Sequence, residues 1–212
     1  MPRPSYTEEQ IQDMEERISA AALHVFGREG YRNFSLRAVA REMGLTAPAL
    51  YLYVDNKDQL LAELRAEGFR RLGEIFRKVA ESRARPLNKG REMLRAALDF
   101  AVDEPDLYRI MYELDQGEAP APQWVRDDRQ TTFDAALTIA EGFVAAGHVD
   151  IDPLDLVHLW WIGLHGLASL DLANQLDMGR SRDELVEPTV ALMTNTNYLK
   201  TVKSEPARKP KG

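Results

Sequence analysis

Residues 35–61 constrain the fold of this chain more than any other segment does. Ser35 is a residue type that favours the N-cap of a helix. Apolar side chains then repeat at the 3–4 spacing of an amphipathic helix, at Leu36, Val39, Ala40 and Met43. Gly44 permits the left-handed backbone of a tight turn, and a second short helix is expected from Thr46 to Tyr53. A helix, a glycine turn and a short second helix form a helix-turn-helix unit, which places its second helix in the major groove of DNA.

An ordered set of residues extends this pattern in both directions. Its members are Ala21, Ala22, Phe26, Gly30, Tyr31, Ser35, Leu36, Ala40, Gly44, Leu50, Tyr51, Lys57, Leu60 and Leu61. In this order the segment from Arg17 to Leu61 resembles the DNA-binding domain of the TetR family of transcriptional repressors. Tyr53 and Val54 stand where that family commonly has His and Phe, and they keep the character of the site. The resemblance implies an N-terminal three-helix helix-turn-helix domain followed by a helical ligand-binding and dimerisation domain.

Helix signals continue along the chain and predict an all-α protein of about nine helices. Capping boxes at Thr7–Gln10 and Ser181–Glu184 are expected to begin the first and last of them. Gly30 is expected to end the first helix, and Asn88 to cap the fifth. The expected domains are a helix-turn-helix domain at 1–60, a ligand-binding and dimerisation domain at 61–198, and a basic, disordered tail at 199–212.

The composition excludes several classes of protein. The 212 residues include no cysteine, so a disulfide framework, a thiolate metal site and a catalytic thiol are excluded. The N-terminus lacks the apolar segment of a signal peptide, and no run of about 18 apolar residues marks a membrane span. We therefore expect a cytoplasmic protein that has no membrane partner.

The charge of the chain is unusual for a DNA-binding protein. The net charge is −7 at pH 7, and residues 1–60 hold seven Lys/Arg against nine Asp/Glu, a balance of −2. Between residues 28 and 57, five basic residues outnumber three acidic ones, a balance of +2. If this unit binds DNA, we expect a modest phosphate footprint and a moderate dependence of affinity on salt.

Eight residues are candidates for contacting DNA. They are Ser35, Arg37, Thr46, Ala47, Pro48, Tyr51, Tyr53 and Lys57. Arg37 suits a bidentate contact to guanine O6 and N7, although a phosphate-bound or solvated arginine fits the sequence equally well. The small residues suit thymine methyl groups, and the hydroxyls and the lysine suit phosphate. For Tyr53, packing between helices is the alternative to a DNA contact. Arg3 in the N-terminal arm could in addition enter a minor groove.

The eighth predicted helix, residues 153–176, is apolar nearly all the way round, which is typical of a helix buried on both sides. One side would face its own domain and the other a second subunit. The TetR resemblance implies a homodimer formed through helices 8 and 9. The residues expected at this interface are Ile162, Gly163, Gly166, Leu170, Val190 and Met193. The alternative is a central helix in a monomer.

Aromatic and methionine side chains are concentrated in helices 4 to 8, and apolar pockets between bundle helices are common ligand sites. We expect a small apolar effector there and no cofactor. The candidate contacts are Phe76, Met111, Trp124, Phe133, Trp161 and His165. Ordinary core packing is the alternative for each of them. Trp161, His165 and Gly166 also resemble a Trp-His-Gly signature on helix 8 of one TetR branch.

The sequence favours a ligand-responsive repressor over an enzyme. By the family resemblance, a homodimer binds a pseudo-palindromic operator in double-stranded DNA and an effector releases it. Two rival interpretations stay open: a ligand-binding dimer without sequence-specific DNA binding, and acid/base chemistry at His158 and His165 with Asp155. The two histidines lack a third well-placed ligand, so no metal site is expected.

Overall fold

Helices form the regular structure of this protein in the computed structural model, which describes residues 7–112 and 121–195. Those two ranges contain nine helices and no strand. The helices are α1 (Glu8–Asn33), α2 (Leu36–Glu42), α3 (Ala47–Leu50), α4 (Lys57–Glu81), α5 (Pro86–Asp103), α6 (Pro105–Tyr112), α7 (Gln123–Ala145), α8 (Pro153–Leu172) and α9 (Arg182–Met193). The predicted all-α fold is confirmed. Arg3 and the tail at 199–212 lie outside the described residues.

None of the helices in these ranges combines the length and the hydropathy that a membrane span needs.

Local capping chemistry explains where the first and last helices begin. The Thr7 side chain accepts a hydrogen bond from the Gln10 N–H at 3.3 Å, and the Gln10 side chain accepts one from the Thr7 N–H at 3.0 Å. Ser181 and Glu184 exchange the same pair of bonds at the start of α9. Both predicted capping boxes are confirmed. Gly30, at φ 69° and ψ 170°, interrupts α1 near its end in a conformation that is essentially open to glycine alone.

Three helix boundaries differ from those predicted. The prediction that Asn88 caps α5 is wrong, because the helix already begins at Pro86, whose ring presets φ and which has no N–H to leave unbonded. The third helix spans only Ala47–Leu50 instead of Thr46 to Tyr53. The eighth ends at Leu172, and Asn174, at φ 53°, turns the backbone into the left-handed region that terminates helices.

The chain divides into two compact units, and α4 contributes to both. Unit 1 comprises the described residues up to Gly68 and those from Asp106 to Arg126, and unit 2 comprises the others. Within unit 1, Gly27 of α1 packs against Asp106, and Gly68 of α4 packs against Met111, both so closely that a Cβ would overlap. Helix α6 is therefore packed against α1 and α4. The predicted domain boundary at residue 60 stays a prediction.

An apolar core packs the first three helices of unit 1 together. Its members include Ile18, Val25, Phe26, Phe34, Leu36, Val39, Leu50 and Val54, each at most 5 % exposed. The rings of Phe26 and Phe34 meet edge to face with their centroids 6.2 Å apart. This packing holds α2 and α3 in place and leaves the polar side chains of α2 outside the core.

The core of unit 2 forms around Trp160 of α8, which is 1 % exposed. The Trp160 indole N–H donates to the Met193 carbonyl at 3.0 Å. The rings of Phe143 and Trp160 meet edge to face with their centroids 5.4 Å apart. Arg95 of α5 donates to both carboxylate oxygens of Glu187 on α9 at 2.5 and 2.6 Å. These contacts attach α8 and α9 to the rest of the unit.

Candidate DNA-binding surface and the two C-terminal faces

The helix-turn-helix is closed by local hydrogen bonds. At the start of α2, Ser35 Oγ accepts from the Ala38 N–H at 3.3 Å. After its end, Gly44 has φ 68° and the Leu45 N–H donates to the Ala40 carbonyl at 2.8 Å, the bonding expected of a glycine-terminated helix. Ser35 therefore caps the helix, and its contact with DNA stays a prediction.

The predicted DNA contacts differ in how accessible they are. Arg37, Thr46, Pro48 and Tyr51 are exposed, whereas Ser35, Ala47, Tyr53 and Lys57 are half-buried. Arg37 is the second residue of α2 and forms no hydrogen bond or ion pair with any residue that the structure describes. The Thr46 side chain makes no capping bond to α3. The guanidinium of Arg37 is therefore available to an external acceptor.

Lys57, the first residue of α4, is held by Tyr31 of α1. Its Nζ donates to the Tyr31 carbonyl at 2.7 Å and lies 4.1 Å from the centroid of the Tyr31 ring. An ammonium has further N–H donors, and these can still bond a phosphate. Sequence reasoning did not include Tyr31 in the site, because the contact joins residues 26 positions apart. Tyr31 acts here by positioning the lysine through a cation–π contact.

Leu52 is a second residue of this surface that sequence reasoning missed. Its side chain is 74 % exposed, more than any other large apolar side chain described in unit 1. It directly follows the half-exposed Tyr51 after the end of α3. An exposed leucine beside a recognition helix suits an apolar contact with a thymine methyl group. Its position between two predicted contacts, Tyr51 and Tyr53, was the signal available in the sequence.

An ion-pair cluster joins α1 to α2 and reduces the positive charge of the unit. Arg28 donates to Glu42 at 3.0 Å and to Glu29 at 3.1 Å, and His24 Nδ1 lies 2.6 Å from Glu42. Hydrogen bonds from Arg28 first, then from His24, lower the pKa of the Glu42 carboxyl. Arg41 lies 3.5 Å from Glu29. Two of the basic residues between 28 and 57 thus already face carboxylates, which shrinks the expected phosphate footprint further.

The six predicted effector contacts are divided between the two units. Phe76, Phe133, Trp161 and His165 belong to unit 2, whereas Met111 and Trp124 belong to unit 1. Phe76 and Met111 are buried, and Trp124 is 43 % exposed. Their contact with a ligand stays a prediction.

An aromatic cluster joins α7 to α8 within unit 2. The His158 ring lies 5.2 Å from that of Phe133 and 6.4 Å from that of Trp161, and the Arg129 guanidinium lies 5.6 Å from the Trp161 ring. His165 Nε2 lies 3.3 Å from Ser169 Oγ. Phe133 and Trp161 are therefore brought together, through His158.

The rival acid/base and metal interpretations gain no support from the histidines. His158 donates its Nδ1–H to the Leu154 carbonyl at 2.8 Å rather than to Asp155. The described part of the chain contains no group of three side chains able to hold a metal ion.

One side of α8 is apolar and exposed. Leu159, Ile162 and Leu170 are 46, 67 and 47 % exposed, and Gly166 is exposed between them. Their 3–4 spacing places all four on one side of the helix. The buried residues of the helix are Leu156, Val157, Trp160, Leu164, Leu167 and Ala168. These four positions thus give α8 an exposed apolar side in addition to its buried one.

The other three predicted interface residues lie elsewhere. Helix α9 runs antiparallel to α8, because Arg182 lies 3.8 Å from Asp171 at one end and Trp160 bonds the Met193 carbonyl at the other. Gly163 packs against the Met193 side chain of the same chain, so closely that an added Cβ would overlap its terminal methyl group. Val190 is 1 % exposed and so offers no surface to a second subunit. Ile162, Gly166 and Leu170 remain as the accessible members of the predicted set.

Two family models match the chain. Residues 18–64 match a model described as "Bacterial regulatory proteins, tetR family". Residues 91–193 match a model described as "Tetracyclin repressor-like, C-terminal domain". The first match contains α2 and α3, and the second contains α8 and α9.

Individual proteins show the same similarity. HTH-type transcriptional regulator Rv1816 from Mycobacterium tuberculosis is 24 % identical over 234 residues, which cover 91 % of this chain and 95 % of the relative. The structure of FadR from Bacillus subtilis in complex with stearoyl-CoA has a TM-score of 0.73 at 17 % identity, covering 85 % of this chain and 98 % of that chain. The structure of AibR in complex with isovaleryl coenzyme A and operator DNA has a TM-score of 0.69 at 16 % identity, covering 84 % and 96 %. Both structures share the fold of this protein.

Proposed function

This chain belongs to the TetR family of bacterial regulatory proteins, and from that premise we propose that it is a transcriptional repressor that binds a pseudo-palindromic operator as a homodimer. A small apolar effector releases the operator. The observation that carries this proposal is the exposed Arg37, which has no partner among the described residues; Thr46 and Tyr51 of the same helix-turn-helix segment are also exposed. The proposal also includes that the protein acts in the cytoplasm and is not an enzyme.

The proposed dimer forms through the exposed side of α8. Leu159, Ile162 and Leu170 present a continuous apolar strip, and Gly166 allows another helix to approach closely. A second copy of this surface would remove the strip from water, which is the dominant driving force of association. The effector favours the arrangement of the two subunits to which it binds more tightly, and it shifts the equilibrium only by that difference in affinity.

The first effectors to test are acyl thioesters and fatty acids. Two proteins of the same fold were crystallised with stearoyl-CoA and isovaleryl coenzyme A. A compound that binds the native dimer should raise its melting temperature. It should also release operator DNA over the same concentration range, because one coupling free energy governs both effects.

A thermal-shift screen followed by an operator-release assay measures both effects. The panel contains fatty acids, acyl thioesters, aromatic compounds and hydrophobic drugs. The proposal of an apolar effector fails if metals or highly polar metabolites alone both stabilise the protein and release DNA.

Lys57→Ala should weaken DNA binding by a similar factor on every sequence. The ammonium sits at the start of α4, where lysine and the helix N-terminus both favour a phosphate. Losing one phosphate contact should reduce the slope of log K against log salt by about one ion. Mobility-shift titrations at several salt concentrations measure this slope.

Lys78→Ala is the matched control, because it removes an exposed lysine of the same helix within unit 2. Circular dichroism melts establish that loss of the Tyr31 contact has not unfolded the Lys57 variant. An unchanged affinity and salt slope in a folded Lys57→Ala protein would show that Lys57 serves only to hold α4 against α1.

A ligand-binding dimer without sequence-specific DNA binding is the second candidate. It is favoured by the −2 balance of residues 1–60 and by the pairing of Arg28 and Arg41 with carboxylates. Such a protein would respond to the effector in the thermal-shift assay and would enrich no motif from a random DNA pool.

A further inference from the structure

Arg65 is the one charged residue in the described ranges whose side chain is buried. It lies on α4 within unit 1 and is 7 % exposed. Its neighbours on that helix include the buried Leu61, Leu64 and Ala66. Burial among apolar groups lowers the pKa of Arg65. A buried cation is normally paired with a carboxylate, because its lost hydration is otherwise uncompensated.

The contacts of Arg65 leave most of its donors unused. Its Nε donates to the Ile110 carbonyl at 3.0 Å, one of the last carbonyls of α6, which have no partner within the helix. Among the described residues this is its one hydrogen bond, and no carboxylate lies within ion-pair distance. Two acidic residues of the same unit are bonded elsewhere, Glu63 to Gln59 at 3.0 Å and Asp106 to Arg109 at 3.4 Å.

The terminal nitrogens of Arg65 are still accessible. Neither Nη1 nor Nη2 is hydrogen-bonded to a described residue. Neither is among the fully buried polar atoms that lack a hydrogen bond in this part of the chain. Both therefore retain some contact with solvent. The side chain thus presents the fork of the guanidinium from a largely apolar setting, where hydrogen bonds to an anion are strong.

We propose that Arg65 is an anion-binding residue that pairs with a carboxylate or phosphate group of the effector. The planar fork matches either group through two parallel N–H···O bonds. Because Nε stays on the Ile110 carbonyl, the anion is held where α4 meets α6. This inference rests on the proposed effector response and narrows the effector class from apolar molecules to amphiphilic anions.

Three probes with one alkyl chain and different head groups test the assignment: dodecanoate, dodecyl phosphate and dodecanol. Calorimetric titration of the full-length protein should give tighter binding of the two anions than of the alcohol. Arg65→Gln should weaken binding of the anions by about 30-fold or more and leave dodecanol unchanged. Arg65→Lys keeps the charge without the fork and should give an intermediate loss. Inorganic phosphate is titrated as a fourth probe. If it binds to the wild type and not to Arg65→Gln, the same anion site is one for free phosphate.

Arg77→Gln is the matched control, because Arg77 is an exposed residue of the same helix paired with Glu74 and Glu81. It should bind all probes as the wild type does. Equal affinity of the wild type for dodecanoate and dodecanol, or no binding of any probe, would overturn the assignment, as would an undiminished preference for anions in Arg65→Gln. Operator binding without ligand is measured in parallel and should be the same in the wild type and Arg65→Gln. A wild type that binds no operator would instead count against the proposed function.

Discussion

Replacing Gly166 with glutamate is expected to separate the subunits and to lower operator affinity by roughly 10²–10⁴-fold, the gain that linking two binding units provides. A Cβ at Gly166 meets no atom of the protomer within 4 Å, so the folded protomer accommodates the new side chain. Ile162 and Leu170 flank this position on the exposed side of α8. In the proposed dimer the carboxylate would be buried without a partner, at a cost of several kcal/mol.

Sedimentation velocity and an operator mobility shift measure the two effects of the Gly166 variant. Gly142→Glu is its matched control, because Gly142 is also a helical glycine with no atom within 4 Å of an added Cβ, but lies on α7. The control should stay dimeric and bind DNA. A dimeric Gly166→Glu protein with wild-type operator affinity would place the interface on another surface.

Arg37→Ala is expected to relax sequence preference at one base pair in each half-site. A bidentate contact to guanine contributes about 1–3 kcal/mol of discrimination against the wrong base. Arg37 is exposed on α2 and has no partner within the described ranges, so its guanidinium is not engaged inside the protein. Binding to random DNA should change much less, because a base contact adds little to non-specific affinity.

The selected motifs of the wild type and of Arg37→Ala give the measurement for this residue. Arg32→Ala removes the same charge from an exposed position in the last turn of α1 and should leave the motif unchanged. An identical motif for the wild type and Arg37→Ala would mean that Arg37 contacts phosphate or solvent rather than a base.

Much of the fold follows from local rules and could be predicted from the sequence. The capping boxes at Thr7 and Ser181 were confirmed because both partners lie within one turn. The predicted start of α5 was wrong because two start signals lie two residues apart, a proline for the first helical position and an asparagine cap. The helix begins at the proline. The packing of α6 with α1 and α4 could not be predicted, since it depends on contacts of Gly27 and Gly68 with distant residues.

The residues of the candidate site likewise divide into those that the sequence indicates and those that only the three-dimensional structure reveals. The turn at Gly44 could be predicted from the glycine that follows the apolar repeat, and Arg37 was a candidate through the family resemblance; its contact with DNA stays a prediction. The link between Lys57 and Tyr31 and the burial of Arg65 required the three-dimensional structure, because each joins helices that are far apart in the sequence. The interface residues show the limit of pattern alone: α8 is apolar on both sides, and the sequence does not tell that Gly163 meets Met193 while Ile162 faces outward.

Selection of bound DNA from a random double-stranded pool tests whether this chain recognises an operator. One motif made of two inverted half-sites should be enriched. Their centres should be separated by about one helical turn, roughly 34–36 Å, or a multiple of it. Two protomers should bind each site. A pool that shows no enriched motif after selection with folded, dimeric wild-type protein would contradict the claim that this chain is a sequence-specific operator-binding regulator.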